Sequence, residues 1–415
     1  MFHIPPALRN PRYRALWVGL LISVIGSQMQ VAALHWQIRE LTITPNPLAL
    51  GGIGFARFFP LIIFSLIGGS VADTFNRRWI IFIAESLMAI VAALLAYLTF
   101  KGSITIWGIY FLTAVQASAV AFDIPARQAM IPNIVSKDDL PNAFSMTSIA
   151  MNTAAILGPA LGGIVIATLG QGYVYIFNSI SFLAVLVALL VIGPVYQDQN
   201  KASGVSLKAI TDGVRFIFSK PIIFSTMILD FFATFFASAN TMMPIVARDI
   251  LNVGEVGYGW LVSAESIGSV AAGIALSQIH ILRKQGPLLL ASVVVFGAAT
   301  IFFGLSNTFM LATIMLMIIG AADTVSTIIR NTIRQLQTPD HIRGRMTSIN
   351  QIFFQGGPQL GEVEAGVVAQ IFGVPFAIVS GGIGTILAVW FISRKWPQLR
   401  NYDGPEPQSA VVTAD

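Results

Sequence analysis

The chain has 415 residues, of which 43 carry a formal charge: 24 Lys and Arg against 19 Asp and Glu. An ordinary soluble domain is about 25% charged, so roughly 100 charged side chains would be expected at this length. With 55% apolar residues and a mean hydropathy of +0.76, no soluble fold of this size could hide so much hydrocarbon, and the chain reads as an integral membrane protein. A dozen helices of about 20 residues would leave only short loops, which excludes a large extramembrane catalytic domain.

Other classes fall away as quickly. There is no cysteine, so disulfides, thiolate catalysis and cysteine-ligated metals are excluded. The four histidines (His3, His35, His280 and His341) have no ligand spacing. Neither a Ser/His/Asp arrangement nor a phosphate-binding Gly-x4-Gly-Lys-Ser/Thr loop occurs, so neither an enzyme nor an ATP-driven pump is expected, and no cofactor or metal. The pI near 9.6 does not call for nucleic acid, because the basic residues sit beside hydrophobic runs, where they set membrane topology.

In chain order, Arg9, Arg12 and Arg14 precede an apolar run from Ala15 to about Ile38. Val31-Ala32-Ala33 could mimic a signal-peptide cleavage site, but the run is too long for a signal core and reads as a first membrane helix. Apolar runs bounded by charges or by Gly, Pro and Asn turns predict twelve spans: 14–38, 48–72, 78–99, 104–124, 141–169, 172–193, 221–247, 257–280, 286–305, 307–329, 346–371 and 374–394. Of the 24 Lys and Arg, only Arg39, Lys101 and Arg248 then fall on the side opposite the termini, and Arg57 within a span. The other twenty share the side of the termini, which the positive-inside rule places in the cytoplasm of a bacterial cell membrane.

The connection 194–220 divides the chain into an N-terminal bundle, 1–193, and a C-terminal bundle, 221–396, with a disordered tail over 397–415. Within the connection, Leu207, Ile210, Val214, Ile217 and Phe218 recur at helical spacing and predict an amphipathic helix on the inner membrane surface. The halves repeat. Arg127-Gln128, Pro132 and Gly158-Pro159-Ala160-Leu161-Gly162 in the first answer to Arg334-Gln335, Pro339 and Gly357-Pro358-Gln359-Leu360-Gly361 in the second. The expected fold is therefore all-α, with twelve transmembrane helices in two pseudo-twofold-related six-helix bundles. Secondary transporters use this design, with a substrate site near the midplane.

The second span ends in Gly69-Ser70-Val71-Ala72-Asp73-Thr74-Phe75-Asn76-Arg77-Arg78. Together with the spans and halves, this stretch resembles the loop signature of the major facilitator superfamily. Thr74 departs from it by replacing a base and Asn76 by replacing the turn glycine, which Asn tolerates because it enters the left-handed region readily. The resemblance implies a conformational latch of Gly69, Asp73, Arg77, Arg78 and Arg127, with Asp73 paired to Arg127. Gly158-Pro159 followed by Gly162-Gly163 resembles the exporter motif of the superfamily, with the proline kinking the helix and the glycines permitting tight packing. Gly357, Pro358 and Gly361 form a matching kink in the second half. Phe122-Asp123-Ile124-Pro125-Ala126-Arg127-Gln128, Pro132, Asn142-Ala143 and Pro339 to Met346, with Arg57 and Pro60, are similar to the branch of siderophore, macrolide and multidrug exporters. The Arg-x-x-Gln-Gly motif of many proton-driven drug exporters is missing from the fourth span, which offers Gln116 and, at its end, Arg127. Any proton coupling must rest on other groups.

A charge in hydrocarbon costs at least about 2.5–3.5 kcal/mol, so each needs a partner, a proton or a wet cavity. Asp230 and Glu265 lie roughly 12–14 Å deep, near the midplane, and are the proton-coupling candidates, with a hydrogen-bonded structural carboxyl as the competing reading. Glu85 and Asp323 lie nearer the termini side, as inner-gate groups or partners of a loop arginine such as Arg330. Glu362 and Glu364 lie beyond Pro358 and point in different directions, so at most one faces the cavity. Arg57, roughly 24 Å from Asp73, is a substrate or gating charge or one half of an ion pair with Glu40 or Glu362. Gln28, Gln116, Phe231 and Phe235 complete the substrate candidates, although most of the 29 Phe must face lipid or neighbouring helices. The expected activity is export of an amphipathic small molecule by a monomer in the lipid bilayer, driven by a proton gradient. A lipid flippase or uncoupled facilitator of the same fold, and a non-transporting sensor or scaffold, are the alternatives.

Overall fold

The computed structural model describes residues 5–195, 214–279 and 283–404. Among them twelve membrane helices follow one another: α1 Pro11–Leu41, α2 Pro47–Thr74, α3 Arg77–Phe100, α4 Ile106–Met130, α5 Leu140–Leu169, α6 Gln171–Ile192, α7 Pro221–Phe236, α8 Gly254–Ser277, α9 Gln285–Gly304, α10 Phe309–Gln337, α11 Asp340–Phe372 and α12 Val374–Lys395. No strand occurs among the described residues. Ten of these helices are long and apolar enough to cross a membrane as they stand. The other two are α7, which is broken, and α11, whose first turns are polar. Most of the amphipathic helix expected over 194–220 and most of the tail over 397–415 lie outside the described residues, while 214–219 is helical.

Helix starts follow from local chemistry. Asn10 accepts from the backbone N–H of Arg12 and Tyr13 with Pro11 in the first turn, and Asn46 accepts from Ala49 with Pro47 likewise placed. Asn76, Thr105 and Thr308 cap α3, α4 and α10 in the same manner. Such caps satisfy N–H groups that the first turn leaves orphaned, and proline there lacks only a donor with no partner to meet. Gly170 turns α5 into α6 at φ +93°, and Gly373 turns α11 into α12 at φ +91°. Both hold a positive φ that side-chain-bearing residues rarely adopt, with open space around them, and they mark the same corner of the two halves.

The packing repeats as well. In the first half α1 packs on α5 and α6, α2 on α4, and α3 on α4 and α6; in the second, α7 packs on α11 and α12, α8 on α10, and α9 on α10 and α12. Every pair in one bundle has its counterpart in the other, which is the pseudo-twofold. Between the bundles two crossings dominate, α2 with α11 and α5 with α8. A Cβ on Gly51 would stand 3.1 Å from the Gly366 Cα and 2.6 Å from the Glu362 carbonyl oxygen. A Cβ on Gly163 would stand 3.1 Å from the Gly259 Cα and 2.5 Å from the Glu255 carbonyl oxygen. Backbone thus meets backbone at two symmetry-related points, both in the halves of these helices remote from the chain termini. That side is called the far end below.

The seventh span departs from a continuous helix over 221–247. It stops at Phe236, resumes in a 3-10 turn over Ala239–Met242, and ends in a π turn over Val246–Ile250. Pro244 has no N–H to return to residue 240, and the Ser238 hydroxyl donates to the Thr234 carbonyl at 2.5 Å, so polar side chains replace the helical ladder here. The wide turn, closed by Leu251 N–H on the Val246 carbonyl, presents Asp249 to the end of α1. Arg39 donates to both Asp249 carboxylate oxygens, at 2.7 Å from Nε and 2.5 Å from Nη2. Beside it Trp36 packs on Tyr258 at 5.3 Å, and the Tyr258 hydroxyl donates to the Ala32 carbonyl.

The tenth span also differs. Its helix runs to Gln337, two turns beyond the expected end at 329. Arg330 and Arg334, which polarity assigns to a loop, are therefore helical and buried. Their charges are matched inside the bundle, so their polarity does not end the helix.

The bidentate pair between Arg39 and Asp249 is the main ionic link between the bundles among the described residues. Because Asp249 keeps 27% exposure, Asp249→Asn or Arg39→Gln should each cost about 1–3 kcal/mol, less than a fully buried pair. Thermal unfolding in detergent checks this, and the exchange Arg39→Asp with Asp249→Arg should recover most of the loss.

Candidate functional site

Each bundle holds one buried arginine cluster. In the first, Arg127 Nη2 on α4 lies 2.5 Å from Glu85 on α3 and 2.5 Å from Asp123, one turn earlier on α4. Arg127 thus holds Glu85 and Asp123 within its own bundle, while the implied partnership with Asp73, like the surroundings of Gly69, falls outside what the described residues cover. Arg77 donates to the carbonyls of Ala72 and Ala129 and to Asn133, and Arg78 donates to the Leu189 carbonyl. Both arginines therefore tie the carbonyl ends of helices within the first bundle, where the helix dipole favours cations.

In the second bundle Arg330 on α10 lies 2.7 Å from Asp230 on α7 and 3.5 Å from Asp323, and Arg334 lies 3.9 Å from Asp230. Arg334 also donates to Asn331 and Asn350. Asp230 is fully buried and Arg330 nearly so. An arginine keeps its charge, so its burial in hydrocarbon requires a carboxylate. Asp230 meets that requirement as the counter-ion of Arg330, so the coupling candidate that depth singles out is also the carboxylate that ties α7 to α10.

Glu265 and Asp323 share a different setting. They line one cavity of about 180 Å³ enclosed by helices of the second bundle, together with Thr234, Ser238, Thr300 and Pro358. The Asp323 side chain is 42% exposed, with Arg330 on one side and this space on the other. The first bundle has an amide network where the second has the cavity. Gln30 donates to Gln116 at 2.5 Å and accepts from Asn178 at 2.7 Å. Gln116 is thereby engaged within its bundle, and Gln28 lies over Gly158.

The kink residues divide by direction. Gly158 and Gly162 admit Gln28 and Met29 of α1 inside the bundle, whereas Gly163 and the Pro159 carbonyl meet Gly259 across the seam. Gly357 and Gly361 admit the backbone of Phe231 and Phe235, so those two residues form the α7–α11 packing, stacked on one another at 5.9 Å. Arg57 lies on α2 between Phe55, Phe58 and Phe59, with no carboxylate at ion-pair distance among the described residues. Its charge bears on His35, Tyr258 and Glu362.

Comparison with known proteins decides the family. The family model described as transmembrane secretion effector matches residues 4–409. The chain belongs to this family, within the major facilitator superfamily. The secretion effector is 24% identical over 401 residues to the enterobactin exporter EntS of Citrobacter koseri, covering 96% of this chain and 95% of that protein. It is 24% identical over 408 residues to the multidrug efflux pump Tap of Mycolicibacterium fortuitum, covering 95% and 98%. Among solved structures, a bacterial homolog of the human lysosomal transporter Spinster, inward-facing and unoccupied, superposes with a TM-score of 0.73 at 15% identity over 96% of this chain and 99% of that one. A D-xylose–proton symporter gives 0.72 at 13% identity over 95% and 99%. These structures share the fold. The secretion effector is a multi-pass membrane transporter with exporters among its relatives, and not an enzyme.

In the sequence, Asp123, Arg334, His35 and Gln359 figure only as motif members or isolated residues, not as site candidates. Asp123 was legible, since a carboxylate four residues before an arginine shares its helix face. Asp230→Asn should strand Arg330 and Arg334 and cost about 3–5 kcal/mol, seen as a lower melting temperature or loss of the monodisperse peak.

Proposed function

We propose that this protein is a secondary active exporter that moves an amphipathic small molecule outward against proton entry by rocking its bundles. The observation that carries this reading is the far-end seam. Two symmetry-related glycine crossings, Gly51 with Gly366 and Gly163 with Gly259, hold bundle to bundle through backbone van der Waals contact. Contact of that kind parts as a unit and reforms without desolvating charge, which suits alternating access. The basic bias of the termini side supports cytoplasmic termini in a bacterial cell membrane and an outward-directed far end.

Glu265 and Asp323 are the coupling groups in this reading. They share one cavity, and Asp323 can report its charge to Arg330 and thence to Asp230, which ties α10 to α7. Arg57 among its phenylalanines would receive an anionic or aromatic part of the substrate. The names of the exporter relatives support a siderophore-like or drug-like molecule. The protein would work as a monomer in the bilayer, with a proton gradient in place of any cofactor and no nucleic-acid partner.

The test is retention of a panel of compounds in efflux-deficient cells, with and without a protonophore. The panel holds a catecholate siderophore, a macrolide, a cationic dye and a lysolipid. Expressing cells should retain less of one compound, and the protonophore should abolish the difference. Glu265→Gln and Asp323→Asn should each lose most of the protonophore-sensitive efflux while the protein stays folded in the membrane. A difference that survives the protonophore would replace this reading with a facilitator or flippase.

A further inference from the structure

The α2–α11 crossing contains a carboxyl that none of the arginine clusters holds. Glu362 stands where α11 meets Gly54 of α2; a Cβ on Gly54 would lie 2.8 Å from the Glu362 Cβ and 2.8 Å from its Oε2. That Oε2 is buried and has no hydrogen-bond partner, and the same holds for Gln359 Oε1 one turn earlier and for His35 Nε2 on α1. Two polar atoms of α11, from Glu362 and Gln359, are thus enclosed without partners where α11 meets Gly54 of α2.

The ionisable groups around Glu362 can be taken element by element. From α2, Arg57 acts on it through its charge but stands outside ion-pair distance. From α1 comes His35, buried and, like Glu362, within reach of the Arg57 charge. From α8 comes Tyr258, whose hydroxyl is committed to the Ala32 carbonyl. From α7, Ser238 and Phe235 pack against neighbouring Gly361 and carry no charge. On α12 the ionisable side chains, Arg394 and Lys395, lie in the last turn, at the opposite end. On α11 itself Glu364 is two residues away and points elsewhere.

An ionised carboxylate here would hold one oxygen away from water and lack a direct counter-ion, which penalises the charged form. A neutral carboxyl in the same place loses only part of its hydrogen bonding. We propose that Glu362 is a proton-operated latch of the far-end seam, which closes over the neutral acid and parts when the acid ionises. The latch rests on the reading of the chain as an alternating-access transporter, and it adds the place where an outside proton acts. A proton arriving at the open far end neutralises Glu362 and lets α2 and α11 close at Gly51, Gly54 and Gly366. Loss of that proton leaves a charge that is satisfied only with water in the seam, and the far end opens.

The absence of native cysteine allows a direct test. Thr44→Cys and Gln370→Cys, both at exposed far-end positions, carry spin labels, and their separation is measured in lipid nanodiscs at about pH 5 and about pH 9, on either side of the range in which an embedded carboxyl titrates. The wild-type pair should be short at low pH and shift to longer separation at high pH. With Glu362→Gln the short population should persist at both, and Glu364→Gln should follow the wild type. Should Glu362→Gln fail to fold, Glu362→Met, also neutral and of similar length, gives the same reading. A wild-type separation that ignores pH, or a neutral variant that titrates as the wild type does, overturns the latch. Labels that titrate as expected in a protein that alters retention of no compound would leave the latch standing and defeat the exporter reading.

Discussion

The structure depends on one constraint: an arginine placed in hydrocarbon cannot shed its charge, so the fold must bring carboxylates to it. Arg127 draws Glu85 from α3 and Asp123 from its own helix. Arg330 draws Asp230 from α7 and Asp323 from its own helix. In each bundle the charge therefore ties α4 or α10 to another helix, and removing either partner leaves an uncompensated buried ion. These clusters make each bundle a unit that is costly to deform.

The seam is built in the opposite manner. Where α2 crosses α11 and α5 crosses α8, the contact is glycine on backbone, with the Ser263 hydroxyl donating to the Ile156 carbonyl nearby. Such contact gains dispersion energy through closeness but holds no charge that would be stranded on parting. Strong ties inside the bundles and separable ties between them are what rigid-body rocking requires. The pair of Arg39 with Asp249 is the exception, and it lies at the far-end rim, where Asp249 is partly exposed and water can take over as the pair opens.

Much of this was legible in the residues. Twelve apolar runs placed twelve helices, and repeated motifs announced the two bundles, because hydropathy and small-residue spacing report what faces lipid and what faces a neighbouring helix. The break in the seventh span was not legible, since Phe236-Ala237-Ser238 is as apolar as an unbroken helix and only Pro244 hints at the lost ladder. Arg330 and Arg334 were read as loop residues because their polarity masked continued helix. What polarity alone could not reveal was the carboxylate waiting across the bundle on α7. The same blindness made Asp230 look like a lone acid, since depth can be counted along a chain while partnership needs the second helix. Gly163 was read with its motif as a kink residue, and only the crossing with Gly259 assigns it to the seam.

The symmetry of the backbone makes its chemical asymmetry informative. Among the described residues of the first bundle the core carboxylates, Glu85 and Asp123, are both engaged by Arg127, and the midplane is filled by neutral amides, Gln30, Gln116 and Asn178. In the second bundle the same architecture encloses a cavity with Glu265 and Asp323 on its wall, and α11 carries Glu362 into the seam. Amides do not titrate, so this network presents the same polar surface at any pH, whereas the second bundle places titratable carboxyls on its cavity wall and at its contact face. A proton bound at either place alters the cost of bringing the second bundle against the first. In the proposed mechanism one half would serve as the fixed wall and the other as the responsive one, and a single set of helix crossings would convert proton binding into relative motion.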